Sequence, residues 1–133
     1  MRFNLVLSLV FLSALIPAMA FAEVDSRIVR EEGGVTVTVT PLNIGAKDVE
    51  TADFAIVMDT HSFQFKFDIM RVSFLLGPGD AAVPPVSWDG RAASQHLDGR
   101  LSFPASALGD RSSIRLLFKG VGGGKDMIFA WSP

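Results

Sequence analysis

Residues 35–40 alternate valine and threonine without a break, with Val35, Val37 and Val39 on one side of an extended chain and Thr36, Thr38 and Thr40 on the other. Successive side chains of a strand point to opposite faces, so β-branched residues at this period suit a half-buried strand and little else. Pro41 ends the run, because proline cannot donate to a ladder. The same period returns in FQFKFDI, where Phe63, Phe65, Phe67 and Ile69 alternate with Gln64, Lys66 and Asp68. It returns again in SIRLLFK, with Ile114, Leu116 and Phe118 inward. FAIVM, apolar at every position, suits a strand covered on both faces. RVSFLL, LSFP and MIFAW are further strand candidates, and AAVPPVSW, broken by Pro84 and Pro85, belongs at an edge. GPGD, SALGD and GVGGGKD punctuate them as turns, and DGRAASQHLDGR reads as a long polar loop. No segment after the N-terminus sustains a helical period with a cap at its start. The expectation is all-β: an antiparallel immunoglobulin-like β-sandwich of about seven to eight strands, with an eight-stranded barrel as the alternative.

The N-terminus has a different logic. MRFN carries Arg2, LVLSLVFLSALI is an uninterrupted apolar core, and PAMAFA supplies Pro17 followed by small residues at alternate positions. This is the layout of a secretory signal peptide over residues 1–22, cleaved after Ala22. The rival reading is an uncleaved anchor, since Leu5 to Ala22 approaches the roughly 20 residues a bilayer span requires. Residues 23–34, EVDSRIVREEGG, read as a flexible tether, leaving a β-sandwich domain over 35–133. The chain is therefore expected to be exported, periplasmic or extracellular, with no membrane span once the leader is removed.

Loss of Arg2 with the leader leaves 11 basic residues against 14 acidic ones. A mildly acidic surface without a basic stripe denies nucleic acid and anionic membranes their electrostatic attraction. There is no cysteine, which rules out disulfides and a lipoprotein anchor. The fold must be held by packing, for which the chain's eleven phenylalanines, eight of them beyond the leader, and two tryptophans supply the bulk.

Two places could carry function. DTHS, Asp59 to Ser62, lies between hydrophobic runs, and its residues are turn formers that bond to nearby backbone. A capped turn is the plain reading. The functional one pairs His61 with His96 of SQHLDG as copper or zinc ligands, completed by Asp59, Asp89 or Asp98, or by sulfur from Met58, Met70 or Met127. Neither histidine lies in an H-x-x-x-H or H-x-H spacing. The second place is VSWDGRAASQHLDGRLSF, where Trp88, Asp89, Arg91 and Gln95 resemble a recognition loop for a protein or envelope component. Its plain reading is that Trp88 packs one end of the sandwich beside two D-G turns. GVGGGKD is not a phosphate loop, because Asp126 follows Lys125 and no helix opens there. No G-x-S-x-G elbow occurs, and nothing nominates a catalytic pair among the 14 acids. A non-enzymatic binding or structural domain is expected, without a resident cofactor.

GGVTVTVTPLN, MDTHSFQFKFD, SWDGRAASQHLDGRLSF and GVGGGKDMIFAW, in that order, resemble a largely uncharacterised family of small exported bacterial proteins. That family's pattern has a T-H-S turn, a W-x-G stretch and a G-G-H-H segment before G-x-L-x-F-P. The likeness runs from Gly33 to Trp131 and implies an immunoglobulin-like sandwich outside the cytoplasm, with no established activity. The T-H-S histidine falls on His61 and the last of the pair on His96, while Gln95 stands where the first would be and Ala93-Ser94 replace the glycines. A three-histidine metal site on that pattern would lack a ligand here.

Overall fold

The computed structural model describes residues 26–133. The leader assigned to 1–22 lies outside the described residues. The valine–threonine run forms β2 (Val35–Pro41) with all three valines fully buried. It sits between β1 (Ile28–Glu32) and β3 (Thr51–Thr60). β7 (His96–Pro104) and β6 (Ser87–Ala93) complete a five-stranded antiparallel sheet in the order β1-β2-β3-β7-β6. The second sheet has β5 (Ala82–Val83), β4 (Ser73–Leu76), β8 (Ile114–Gly122) and β9 (Lys125–Trp131), in the order β5-β4-β8-β9. One helical turn, α1 (Ile69–Val72), precedes β4. The architecture is the antiparallel sandwich that alternation predicts, with nine strands among the described residues.

The inward residues of the two sheets make one core. Phe54 from β3 meets Phe103 of β7 edge to face at 5.9 Å and Trp131 of β9 at 5.5 Å, so it joins neighbours in its own sheet to the opposite one. Phe118 and Phe129 pair at 5.7 Å inside the second sheet. Such ring pairs add about 0.5–1.5 kcal/mol each beyond their area burial, a substitute for the disulfides this chain cannot form.

Four sequence expectations are corrected. Residues 28–32 are a strand rather than part of a tether, in full register with β2 from Ile28↔Val39 to Glu32↔Val35. FAIVM is not covered on both faces: Phe54, Ile56 and Met58 are buried while Ala55 and Val57 are half-buried, the pattern of a strand with one wet face. FQFKF is no strand. After β3 the chain crosses to the other sheet, the Phe65 N–H donates to the Ser94 carbonyl (2.7 Å), and Phe63, Phe65 and Phe67 pack on one another at 6.1 and 5.3 Å. Asp68 then accepts from the Met70 N–H (3.0 Å) and starts α1. DGRAASQHLDGR, expected as a loop, is most of the β6–β7 hairpin, closed by the two residues Ser94 and Gln95.

Candidate functional site

The hairpin is hard to see in sequence because the inward positions of β6 after Trp88, and Gly99 of β7, are small. Trp88, Gly90 and Ala92 of β6 oppose Leu101, Gly99 and Leu97 of β7, so only one bulky side chain of β6 points inward. The glycines make room for it. A Cβ at Gly90 would fall 2.1 Å from Cζ2 of Trp88 and 2.5 Å from the Asp98 carbonyl oxygen, and one at Gly99 would fall 2.3 Å from the Gly90 Cα. The indole therefore lies across the glycine pair, half-buried against the core, and covers backbone that would otherwise be open. This gives W-x-G its physical content: tryptophan and glycine two apart share one face, and the ring occupies the space of the missing side chain.

Ser87, Asp89, Arg91 and Ala93 face outward and are exposed. Asp89 stands opposite Arg100, and Arg91 opposite Asp98, so the outer face of the hairpin alternates in sign along and across the strands. Gln95 is at the exposed tip, where its carbonyl accepts from the Thr60 N–H (3.1 Å). The tip and the DTHS bend thus share one pole of the sandwich. Thr60 holds that bend down: its hydroxyl donates to the Gly34 carbonyl (2.8 Å) and accepts from the Ser62 N–H (3.2 Å).

At the same pole Asp59 and His96 are cross-strand partners on β3 and β7. His96 Nδ1 lies 2.5 Å from Asp59 Oδ1, and Nε2 lies 2.8 Å from Asp98 Oδ2. Both ring nitrogens thus meet carboxylates. Only the imidazolium can donate from both nitrogens at once. The Asp59 hydrogen bond first, and the Asp98 bond second, hold the pKa of His96 above its ordinary value. The result is a clamp, charged when His96 is protonated, that ties β7 to β3 beside the hairpin tip.

This geometry bears on the ligand set proposed for copper or zinc. A metal-bound histidine offers one nitrogen to the ion and its other N–H to a carboxylate, whereas His96 has a carboxylate on each. His61 is exposed on the bend beyond β3, Asp89 is on β6 with its side chain outward, and Met58 and Met127 are buried in the core. Among the described residues no three His, Asp or Glu side chains are grouped to hold a metal ion. Of the residues singled out from sequence, Trp88, Asp89, Arg91 and Gln95 lie on one hairpin, with His96 beside its tip. What sequence did not reveal is that the partners of His96 are Asp59 and Asp98 rather than His61. The i, i+2 spacing of His96 and Asp98 within a strand was the one available signal.

Among the described residues, no acid–base pair lines the apolar depression at the other end of the fold. Its walls are Ile28, Ile44, Ala130, Trp131 and Pro133, with Ser26, Gly45 and Ser132 beside them. No helix of the described residues is long and apolar enough to cross a membrane. Comparison with protein-family models, curated proteins and solved structures found no match to this chain.

Proposed function

We propose that this protein is an exported, non-enzymatic β-sandwich, periplasmic or extracellular, that binds a protein or another envelope component through the β6–β7 hairpin. The observation that carries the reading is the construction of β6. Of its seven residues only Trp88 is even partly buried, and it anchors the strand while Asp89 and Arg91, with Gln95 at the tip, are presented to solvent. A rigid strand pinned by one aromatic and carrying alternating charges is suited to recognition, because its polar groups are held in place before a partner arrives.

The test is capture of partners from envelope extract by the purified protein and by Asp89→Ala, Arg91→Ala and Gln95→Ala variants, whose side chains support no core contact. The reading predicts loss of the captured component in at least the Asp89 and Arg91 variants. Capture unchanged in all three would remove the hairpin from any role in recognition.

A further inference from the structure

Hydrogen bonds on either side of β7 set the phase of β6. A residue in an antiparallel strand turns its N–H and C=O to the same neighbour, and the side alternates along the chain. The Gln95 carbonyl faces β3, where it accepts from Thr60, so Leu97, Gly99 and Leu101 face β3 as well. His96, Asp98, Arg100 and Ser102 then face β6, in agreement with the Ser102 carbonyl accepting from the Val86 N–H (2.8 Å). Their partners Ser87, Asp89, Arg91 and Ala93 exchange bonds with β7. Trp88, Gly90 and Ala92 consequently turn their N–H and C=O groups away from the sheet, along an edge that no strand of the described residues covers.

We propose that this edge is an isologous interface in which β6 pairs antiparallel with β6 of a second copy, centred on Gly90. The proposal rests on the hairpin being the recognition element and names its partner. Phase restricts the central registers to three, because only Trp88, Gly90 and Ala92 have bonds to give. A centre on Asp89 opposes two aspartates, and a centre on Arg91 opposes two arginines. A centre on Gly90 sets Asp89 of each copy against Arg91 of the other on the outer face, twice, and seats Trp88 beside Ala92 of the other copy. It makes about six backbone hydrogen bonds: two across the Gly90 pair and two at each Trp88–Ala92 pair. Charge complementarity therefore selects both the partner and the register.

β6 also lacks several of the features that keep sheet edges apart, and its two charges, Asp89 and Arg91, are of opposite sign. It has seven residues with no proline and no lysine, and Gly90, Ala92 and Ala93 leave its backbone accessible. β5, by contrast, has two residues and runs into Pro84 and Pro85. β1 and β9 close on each other through the Glu32–Lys125 ion pair (3.3 Å).

The test uses sedimentation of the purified protein up to roughly 1 mM, since edge pairing buries an area at the small end of the specific range. Asp89→Arg and Arg91→Asp are measured separately and as an equimolar mixture, with thermal melts confirming that both fold. The wild type should dimerise. Each variant alone should dimerise about tenfold more weakly, because two attractive cross-strand pairs become repulsive. The mixture should recover the dimer, because Arg at 89 of one then meets Asp at 91 of the other. Any like-charge contact with β7 exists in monomer and dimer alike and cancels. A wild type that stays monomeric, or variants that dimerise as well alone as mixed, overturns the self-pairing. If such a monomeric protein still captures an envelope component through Asp89 and Arg91, the self-pairing falls and the hairpin reading stands.

Discussion

The two lateral edges of the sandwich show how one backbone geometry reaches two ends. On one side β1 and β9 belong to different sheets but are sewn together. Lys125 reaches Glu32, the Trp131 indole N–H donates to the Ser26 carbonyl (2.6 Å), and the Arg30 guanidinium lies over the Phe129 ring at 5.8 Å. On the other side β6 is exposed at every residue except Trp88, and its outward peptide groups have no strand beside them among the described residues. Closure comes from long side chains that cross between sheets. On the β6 side, where glycine and alanine follow Trp88 on the inward face, the 63–67 crossing and α1 pass beside the hairpin, but no strand of the described residues pairs with the outward peptide groups of β6.

The largest expected effect separates the two tryptophans. Trp131 is 8% exposed, stacks on Phe129 and packs tilted against Phe54, so Trp131→Ala should cost about 3–5 kcal/mol of unfolding free energy. Trp88→Ala, at the half-buried anchor, should cost about half of that. Denaturant midpoints check both, and equal losses would break the contrast between edges.

Proline scanning sharpens it further. Arg91 gives its N–H to β7, so Arg91→Pro should lose about 3 kcal/mol, while Ala92→Pro, whose N–H points outward, should lose no more than about 1 kcal/mol. Similar losses at these neighbours would mean the strand phase is wrong.

At the closed corner, Gly33 has φ +58 and a Cβ there would meet the Gly122 carbonyl oxygen at 2.2 Å. Gly33→Ala should cost about 2 kcal/mol or more. Gly124→Ala, also at positive φ but with nothing within 4 Å, should cost only the backbone strain of about 1 kcal/mol. Melting of the two variants side by side separates steric closure from strain.

The smallest effect belongs to the His96 clamp. Its pKa is raised in the folded protein, so its contribution is complete on the acidic side of the unfolded value and disappears as pH rises through the folded one. The side chains are about half exposed, and screening limits the gain to about 1 kcal/mol or less. The stability advantage of the wild type over His96→Ala should shrink with rising pH, and an advantage that grows instead would exclude an imidazolium.

Sequence revealed the elements whose alternation uses large side chains. β2, β8 and β9 stand where valine, leucine, isoleucine and phenylalanine alternate, and the proline pair lies beside an edge strand as expected. β1 was hidden because IVREE has few apolar residues and gains its order from pairing with β2. FQFKF misled because edge-to-face and tilted ring packing, not a ladder, uses its alternation. The hairpin was hidden by Gly90, Gly99 and Ala92, whose period carries no hydrophobic signal even though they face inward. Asp59 and His96 are 37 residues apart, and only strand register brings them together, so the composition of the clamp was legible while its pairing was not.

Amide hydrogen exchange along β6, read at two protein concentrations, tests the open, in-phase edge most directly. The account predicts alternation in dilute protein, with Asp89 and Arg91 protected by β7 while Gly90 and Ala92 exchange freely, and protection of Gly90 and Ala92 as concentration rises. Uniform protection at the lower concentration, or Gly90 and Ala92 unprotected at both, would contradict it.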